Sequence, residues 1–129
     1  MARILVVDDS KTVEHALRKL LEPDGHTVEV LAAFVQLSAY LRATPPDLVV
    51  LDLSMPAMSG MAFGRFLRRQ RGGNVPILIY SGRSKEEIRS AAEALGAAGY
   101  VQKGEEPKHV RATIERLLRE ARAGEGSDP

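Results

Sequence analysis

The chain has 129 residues, which suits one compact domain with a hydrophobic core and leaves little room for a second domain. Hydrophobic residues make up 44% and charged residues 27%, the composition of a globular protein rather than a disordered or fibrous one. Because the formal net charge is only +1 and cysteine is absent, we expect neither direct nucleic-acid binding nor disulfides or thiolate metal sites.

Short apolar runs along the chain predict five strands. The first, "RILVV" at 3–7, stops at two aspartates and is too short for a signal peptide or a membrane span, so we expect a soluble, cytoplasmic protein without membrane contact. The others are "TVEVL" at 27–31, "DLVVL" at 47–51, "PILIY" at 76–80 and "GYVQ" at 99–102. Three are nearly continuous in Val, Ile and Leu, which is typical of parallel strands buried on both faces.

Apolar stripes spaced three and four residues apart predict a helix after each strand. The stripes cover residues 13–21, 34–41, 63–70, 88–95 and 110–118. Alternating strands and helices predict an α/β domain with an open parallel sheet and helices on both faces, because right-handed crossovers leave few other arrangements. We expect this domain to span residues 1–122, and "AGEGSDP" at 123–129 to be a flexible tail.

Polar residues follow four of the five predicted strands. In sheets of this kind ligands bind at the carboxyl ends of the strands, so the side chains there are expected to share one edge. Each alone has an ordinary structural explanation as a helix cap, a turn residue or a solvated cation. Their occurrence together favours a functional site formed by Asp8, Asp9, Asp52, Ser81, Gly82 and Lys103.

The combined chemistry of these residues points to phosphoryl transfer. Three carboxylates at one edge repel one another unless a cation lies among them, and an all-oxygen site suits Mg²⁺. A carboxylate beside that ion can attack phosphorus and form an aspartyl phosphate, and the third strand aims Asp52 for that role. The phosphoryl oxygens would be neutralised by Mg²⁺, by the Lys103 ammonium, and by the Ser81 hydroxyl with the Gly82 amide.

The paired acids, "LDLSMPAMSG" at 51–60, "YSG" at 80–82 and "GYVQK" at 99–103 together resemble the receiver domain of two-component response regulators, from about residue 3 to 122. The resemblance implies a flavodoxin-like fold with strand order 2-1-3-4-5. It implies that Asp52 accepts phosphate from a histidine of a sensor kinase or a histidine phosphotransfer protein. It also implies that Mg²⁺ is bound directly by Asp9, Asp52 and the Ser54 carbonyl, and through water by Asp8.

The resemblance further implies a conformational switch. Ser81 would move towards the phosphate, and Tyr100 would rotate into the space that Ser81 leaves. A downstream effector, or a second copy of the chain in a homodimer, would bind the face of helix 4, strand 5 and helix 5. An ordinary half-buried strand aromatic explains Tyr100 equally well.

Four positions depart from, or vary within, the family pattern. Gly104 follows Lys103 where the family usually has proline, which removes most of the rationale for a cis bond there and predicts a looser loop before helix 5. Gly82 stands where alanine is common. In this family Ser54 and Arg83 occupy positions that tune the attack of water on the acyl phosphate, so the sequence leaves the lifetime of the signal open.

Two other functions stay open at this stage. A receiver-like module could recognise a partner without phosphate. A small phosphatase of the haloacid dehalogenase type would need the pattern D-x-D, whereas Asp8 and Asp9 are adjacent and residue 10 is serine. We therefore expect no turnover enzyme, only self-phosphotransfer and autodephosphorylation. The histidines at 15, 26 and 109 and the arginines at 65, 68, 69 and 71 are predicted to be surface residues.

Overall fold

The computed structural model describes residues 1–31, 34–43, 45–55, 58–70 and 74–127, with only the backbone of residues 34, 38, 58 and 124–127. Within these ranges five strands form one parallel sheet in the order β2-β1-β3-β4-β5, which confirms the predicted flavodoxin-like topology. The strands are β1 (Arg3–Val7), β2 (Thr27–Leu31), β3 (Leu48–Leu51), β4 (Ile77–Ser81) and β5 (Gly99–Gln102). Each lies within one residue of its predicted bounds.

In the described part of the chain, five α-helices cover the two faces of the sheet. They are α1 (Lys11–Leu21), α2 (Leu37–Ala43), α3 (Gly60–Arg69), α4 (Lys85–Leu95) and α5 (Pro107–Ser127). The helix α5 continues through residues 123–127, for which the sequence predicted a flexible tail; the mobility of that segment stays a prediction, and residues 128 and 129 lie outside the described part. No helix in the described ranges is long and apolar enough to cross a membrane.

Side-chain alternation along the strands divides the core into two layers. In β1, Leu5 and Val7 face α2, α3 and α4, whereas Ile4 and Val6 face α1 and α5. Successive side chains of a strand point to opposite faces, and β1 lies inside the sheet, so both sets are buried. Packing on both sides holds the carboxyl ends of β1, β3 and β4 in fixed positions.

His26 does not lie on the surface as predicted, because it joins the start of β2 to α5 inside the protein. Its Nδ1 accepts a hydrogen bond from the backbone N–H of Ala2 at 3.1 Å, and its Nε2 lies 2.6 Å from Oε1 of Glu115. Since Nδ1 accepts, Nε2 carries the proton and donates to the carboxylate. This contact lies at the amino ends of the strands, away from the predicted site.

Arg68 also differs from the prediction of a solvated arginine. Its guanidinium donates to the carbonyl oxygens of Val75 at 2.6 Å, Gly96 at 3.1 Å and Leu95 at 3.2 Å. Burial lowers the pKa of Arg68 below its ordinary value. Arg68 therefore joins α3 to the last turn of α4 and to the segment that enters β4. Arg71 lies outside the described residues.

The chain after β3 folds back on itself before α3 begins. Ser54 pairs with Ser59 and Met55 with Met58 in a short antiparallel ladder, and residues 56 and 57 lie outside the described part. The first residue of α3, Gly60, then lies against the backbone of Asp52 and Leu53, just after β3: a Cβ there would overlap the Asp52 carbonyl oxygen. Only glycine allows this approach.

We expect Gly60→Ala to destabilise the fold by about 3 kcal/mol or more, because the backbone atoms that the new methyl would meet belong to the buried residues Asp52 and Leu53 and cannot move aside. Gly82→Ala is the matched control, since a Cβ there would meet nothing within 4 Å. Urea unfolding of both variants measures the difference. Equal loss of stability in the two would contradict the packing argument.

A capping box begins α4. The Ser84 hydroxyl accepts from the Glu87 backbone N–H at 3.2 Å, and Glu87 Oε1 accepts from the Ser84 backbone N–H at 3.3 Å. The hydrogen bond from the Ser84 backbone, and then that from its hydroxyl, lower the pKa of Glu87 below the ordinary value of 4.5. A carboxylate whose pKa is lower in the folded state than in the unfolded state stabilises the fold at pH values above its unfolded pKa. That stabilisation is lost as the pH falls through its folded pKa.

Glu87→Ala should therefore destabilise the protein at neutral pH, and the difference from the wild type should shrink as the pH falls below 4.5, where the Glu87 carboxylate takes up a proton. Urea titrations at decreasing pH measure this difference. Glu86→Ala in the same helical turn is the control, because no hydrogen bond between Glu86 and Ser84 occurs among the described residues. A pH-independent difference for Glu87→Ala would contradict the assignment.

Candidate functional site

Asp52 follows β3 directly and lies inside the protein, with 3% of its side chain exposed. Its backbone N–H donates to the Val7 carbonyl at 3.0 Å, which continues the ladder between β1 and β3 by one residue. Its Oδ1 accepts from the Ser54 backbone N–H at 3.1 Å. The carboxylate therefore has a fixed orientation, with Oδ2 left for other partners.

Asp8 lies beside Asp52 because of the strand register. Val7 pairs with Leu51, so the next residues of β1 and β3 emerge side by side at the same edge. Asp8 is as buried as Asp52, and its Oδ1 accepts from the Ser10 backbone N–H at 2.9 Å. The Ser10 hydroxyl in turn accepts from the Val13 N–H and caps α1. Ser10 therefore caps α1, and the Asp8 carboxylate remains in the site.

Lys103 joins the two buried carboxylates. Its Nζ lies 3.0 Å from Asp8 Oδ2 and 3.3 Å from Asp52 Oδ2. Burial alone would lower the pKa of Lys103, but hydrogen bonds and charge attraction from both acids outweigh burial and raise that pKa above its ordinary value. The ammonium is therefore charged at neutral pH. One ammonium against two carboxylates leaves a negative charge uncompensated, which favours a further cation.

Ser81 is the last residue of β4 and is fully buried. Its carbonyl accepts from the Lys103 backbone N–H at 2.8 Å, and its hydroxyl accepts from the Arg83 backbone N–H at 3.4 Å. The strand pairing that puts Ser81 opposite Gln102 sets Lys103 one residue beyond that pair. Gly82, just after Ser81, is exposed and has open space around its Cα.

The structure does not bring every predicted site residue into this cluster. Asp9 is exposed, and no three His, Cys, Asp or Glu side chains in the described ranges lie close enough together to hold a metal ion. Ser54 is exposed near Asp52, and its hydroxyl accepts from Arg83 Nε at 2.7 Å. Tyr100 on β5 is 43% exposed.

Tyr80 is a site neighbour that the sequence did not reveal. Its ring centre lies 5.9 Å from Lys103 Nζ, within the range of a cation–π interaction. Burial raises the pKa of Tyr80 above its ordinary value. The sequence could have indicated this contact, because Tyr80 directly precedes Ser81 on β4 and Lys103 directly follows the neighbouring strand β5. The contact helps to hold the Lys103 side chain over the acids.

Comparison with known proteins agrees with this geometry. Residues 4–115 match the model of the response regulator receiver domain. Response regulator MprA from Mycobacterium sp. strain KMS is 36% identical over 126 residues, which are 98% of this chain and 54% of that protein. The alkaline phosphatase synthesis transcriptional regulatory protein SphR from Synechococcus elongatus is 37% identical over 127 residues, which are 92% of this chain and 49% of that protein.

Solved structures show the same fold. The chemotaxis protein CheY4 of Vibrio cholerae superposes with a TM-score of 0.80 at 29% identity, over 91% of this chain and 98% of that one. The receiver domain of the sensor histidine kinase PA1611 from Pseudomonas aeruginosa superposes with a TM-score of 0.77 at 21% identity, over 91% and 97% of the two chains. The chain spans about half the length of the curated relatives it matches. It belongs to the response regulator receiver domain family.

Proposed function

We propose that this receiver domain carries its signal as an aspartyl phosphate on Asp52, formed from a phosphohistidine of a sensor kinase or a histidine phosphotransfer protein. The observation that carries the proposal is the buried, oriented Asp52 carboxylate with the Lys103 ammonium 3.3 Å away. The Ser81 hydroxyl and the Gly82 amide, at the end of a neighbouring strand, are the proposed further contacts of the phosphoryl group. Nothing in this set resembles the D-x-D arrangement of a turnover phosphatase.

The chemical step needs little from the protein beyond position and charge. An oxygen of the Asp52 carboxylate attacks phosphorus in line with the bond to the donor histidine. A P–O bond forms as the P–N bond breaks, and the leaving imidazole keeps the electron pair and takes a proton from solvent. The Lys103 ammonium neutralises charge on the transferred oxygens. Hydrolysis of the acyl phosphate by water later restores Asp52, as autodephosphorylation.

The donor set fits Mg²⁺, since two buried carboxylates face a single ammonium and all available ligands are oxygen atoms. Asp52, Asp9 and the Ser54 carbonyl would hold the ion directly, and Asp8 through water. Asp9 lies outside the carboxylate cluster, so its place rests on the sequence pattern alone. The bound ion would neutralise phosphoryl oxygens. The PA1611 receiver domain has a magnesium ion coordinated in its active-site cleft, which supports the assignment.

The output surface is proposed to be the face of α4, β5 and α5. Tyr100 lies on this face and is 43% exposed, whereas Ser81 is fully buried at the neighbouring strand end. A movement of the Ser81 hydroxyl towards the phosphoryl group would leave room for the Tyr100 ring. An effector protein or a second copy of the chain would then distinguish the two positions of that ring.

Acetyl phosphate or phosphoramidate, with Mg²⁺, is expected to add one phosphate to the wild type and none to Asp52→Asn, because the amide lacks the nucleophilic oxygen anion. Intact-mass measurement follows the addition. Asp24→Asn, near the amino ends of the strands, is the matched control and should be labelled like the wild type. A folded wild type that stays unlabelled would favour an interaction module that works without phosphate.

Mg²⁺ is expected to raise the melting temperature of the wild type, because the ion binds the folded state. Lys103→Met leaves two buried acids without their ammonium, which should cost about 3 kcal/mol without Mg²⁺. The same variant should gain more than the wild type when Mg²⁺ is added, and Asp52→Asn should gain less. Thermal denaturation with K⁺ at matched ionic strength measures the three shifts. Equal shifts would place Mg²⁺ elsewhere.

A further inference from the structure

Two side chains outside the acid cluster tie together the three segments that carry Asp52, Ser81 and Lys103. One is Arg83, in the loop between β4 and α4. The other is Gln102, the last residue of β5. Both act through hydrogen bonds that no feature of the sequence pattern indicated.

Arg83 joins the segment of Asp52 to the segment of Ser81. Its Nε donates to the Ser54 hydroxyl at 2.7 Å, and its Nη1 lies 3.6 Å from the Glu87 carboxylate. Ser54 is two residues after Asp52, and its backbone N–H holds the Asp52 carboxylate. Arg83 is two residues after Ser81, and its backbone N–H donates to the Ser81 hydroxyl. The side-chain bond therefore fixes the spacing of the two loops.

Gln102 joins the segment of Ser81 to that of Lys103. Its side-chain amide donates to the Arg83 carbonyl at 2.9 Å. Its backbone N–H donates to the Glu105 carboxylate at 2.7 Å, which orders the loop after Lys103. Glu105 in turn lies 3.0 Å from His109 in the first turn of α5. A continuous polar chain thus runs from Ser54 to α5.

We infer that Gln102 is a positioning residue for phosphoryl transfer: its amide holds Arg83 in the place from which the guanidinium reaches Ser54. The inference rests on the proposed function of Asp52. The β3 and β4 ends are fixed by packing, but Ser54 and Arg83 in the loops beyond them are exposed, so the relative positions of the two loops depend on these side-chain bonds. Small displacements of reacting groups slow a transfer that depends on in-line geometry.

Gln102 offers a cleaner test than Arg83. Replacing Arg83 removes a positive charge near the phosphoryl site, and its effect would mix charge with position. Gln102→Leu removes the hydrogen bond and leaves all charges in place. It is expected to slow labelling by acetyl phosphate about threefold to tenfold while changing the urea midpoint little. Gln36→Leu, the same change on an exposed side chain before α2, should label at the wild-type rate.

A double-mutant cycle shows whether Gln102 acts through the Arg83 contact with Ser54. In Ser54→Ala the guanidinium has lost its hydroxyl partner, so adding Gln102→Leu should slow labelling by less than about twofold. Hydrogen exchange in the unphosphorylated protein is the second readout. Gln102→Leu should raise the exchange of the backbone amides of residues 82–84, and Gln36→Leu should leave them unchanged.

The outcomes separate the two proposals. A wild type that takes up no phosphate overturns both the proposed function and this inference. A labelled wild type with the same labelling and exchange rates in Gln102→Leu overturns the inference alone. Additive slowing by Gln102→Leu and Ser54→Ala would also overturn it, because the two side chains would then act independently.

Discussion

The contact of one ammonium with two buried carboxylates is the interaction on which the rest of the site depends. Two carboxylates side by side inside a protein repel strongly and lose their hydration, so a cation must lie between them. Lys103 supplies it from just after β5, whereas Asp8 and Asp52 directly follow β1 and β3. The cluster therefore exists only when three strands, distant in sequence, end at one edge of one sheet.

The sheet itself could be predicted because each strand is recognisable from its own short stretch of sequence. Continuous runs of Val, Ile and Leu indicate burial on both faces, and the polar residue that ends each run marks the edge where ligands bind. The sequence could not show which of the two adjacent acids turns inward, since neighbouring side chains point in opposite directions. The structure places Asp8 in the cluster and leaves Asp9 exposed. Contacts such as His26 with Glu115, 89 residues apart, likewise have no local pattern.

The loop after Lys103 has a backbone that glycine allows and that the proline usual in the family would not allow. Gly104 has φ of +101°, in the left-handed region, and a proline could not adopt this backbone. All peptide bonds within the described ranges are trans. The looser loop stays a prediction; among the contacts, Glu105 closes the loop on Gln102 through its carboxylate at 2.7 Å and its backbone N–H at 3.3 Å.

Packing thus holds the strand ends of the site, and hydrogen bonds hold the loops that follow them. Hydrophobic layers on both faces fix the strand ends next to Asp8, Asp52 and Ser81. Truncating a large side chain in these layers would lower the free energy of unfolding by several kcal/mol. The loops beyond those ends are joined by single hydrogen bonds, each worth about 1 kcal/mol. A bound phosphoryl group can shift a conformational equilibrium only by the difference in its affinity for the two states. Hydrogen bonds of this strength keep the loops ordered, yet they can be replaced by contacts with the phosphoryl group. Packing contacts in the core are too strong in sum to be replaced in this way.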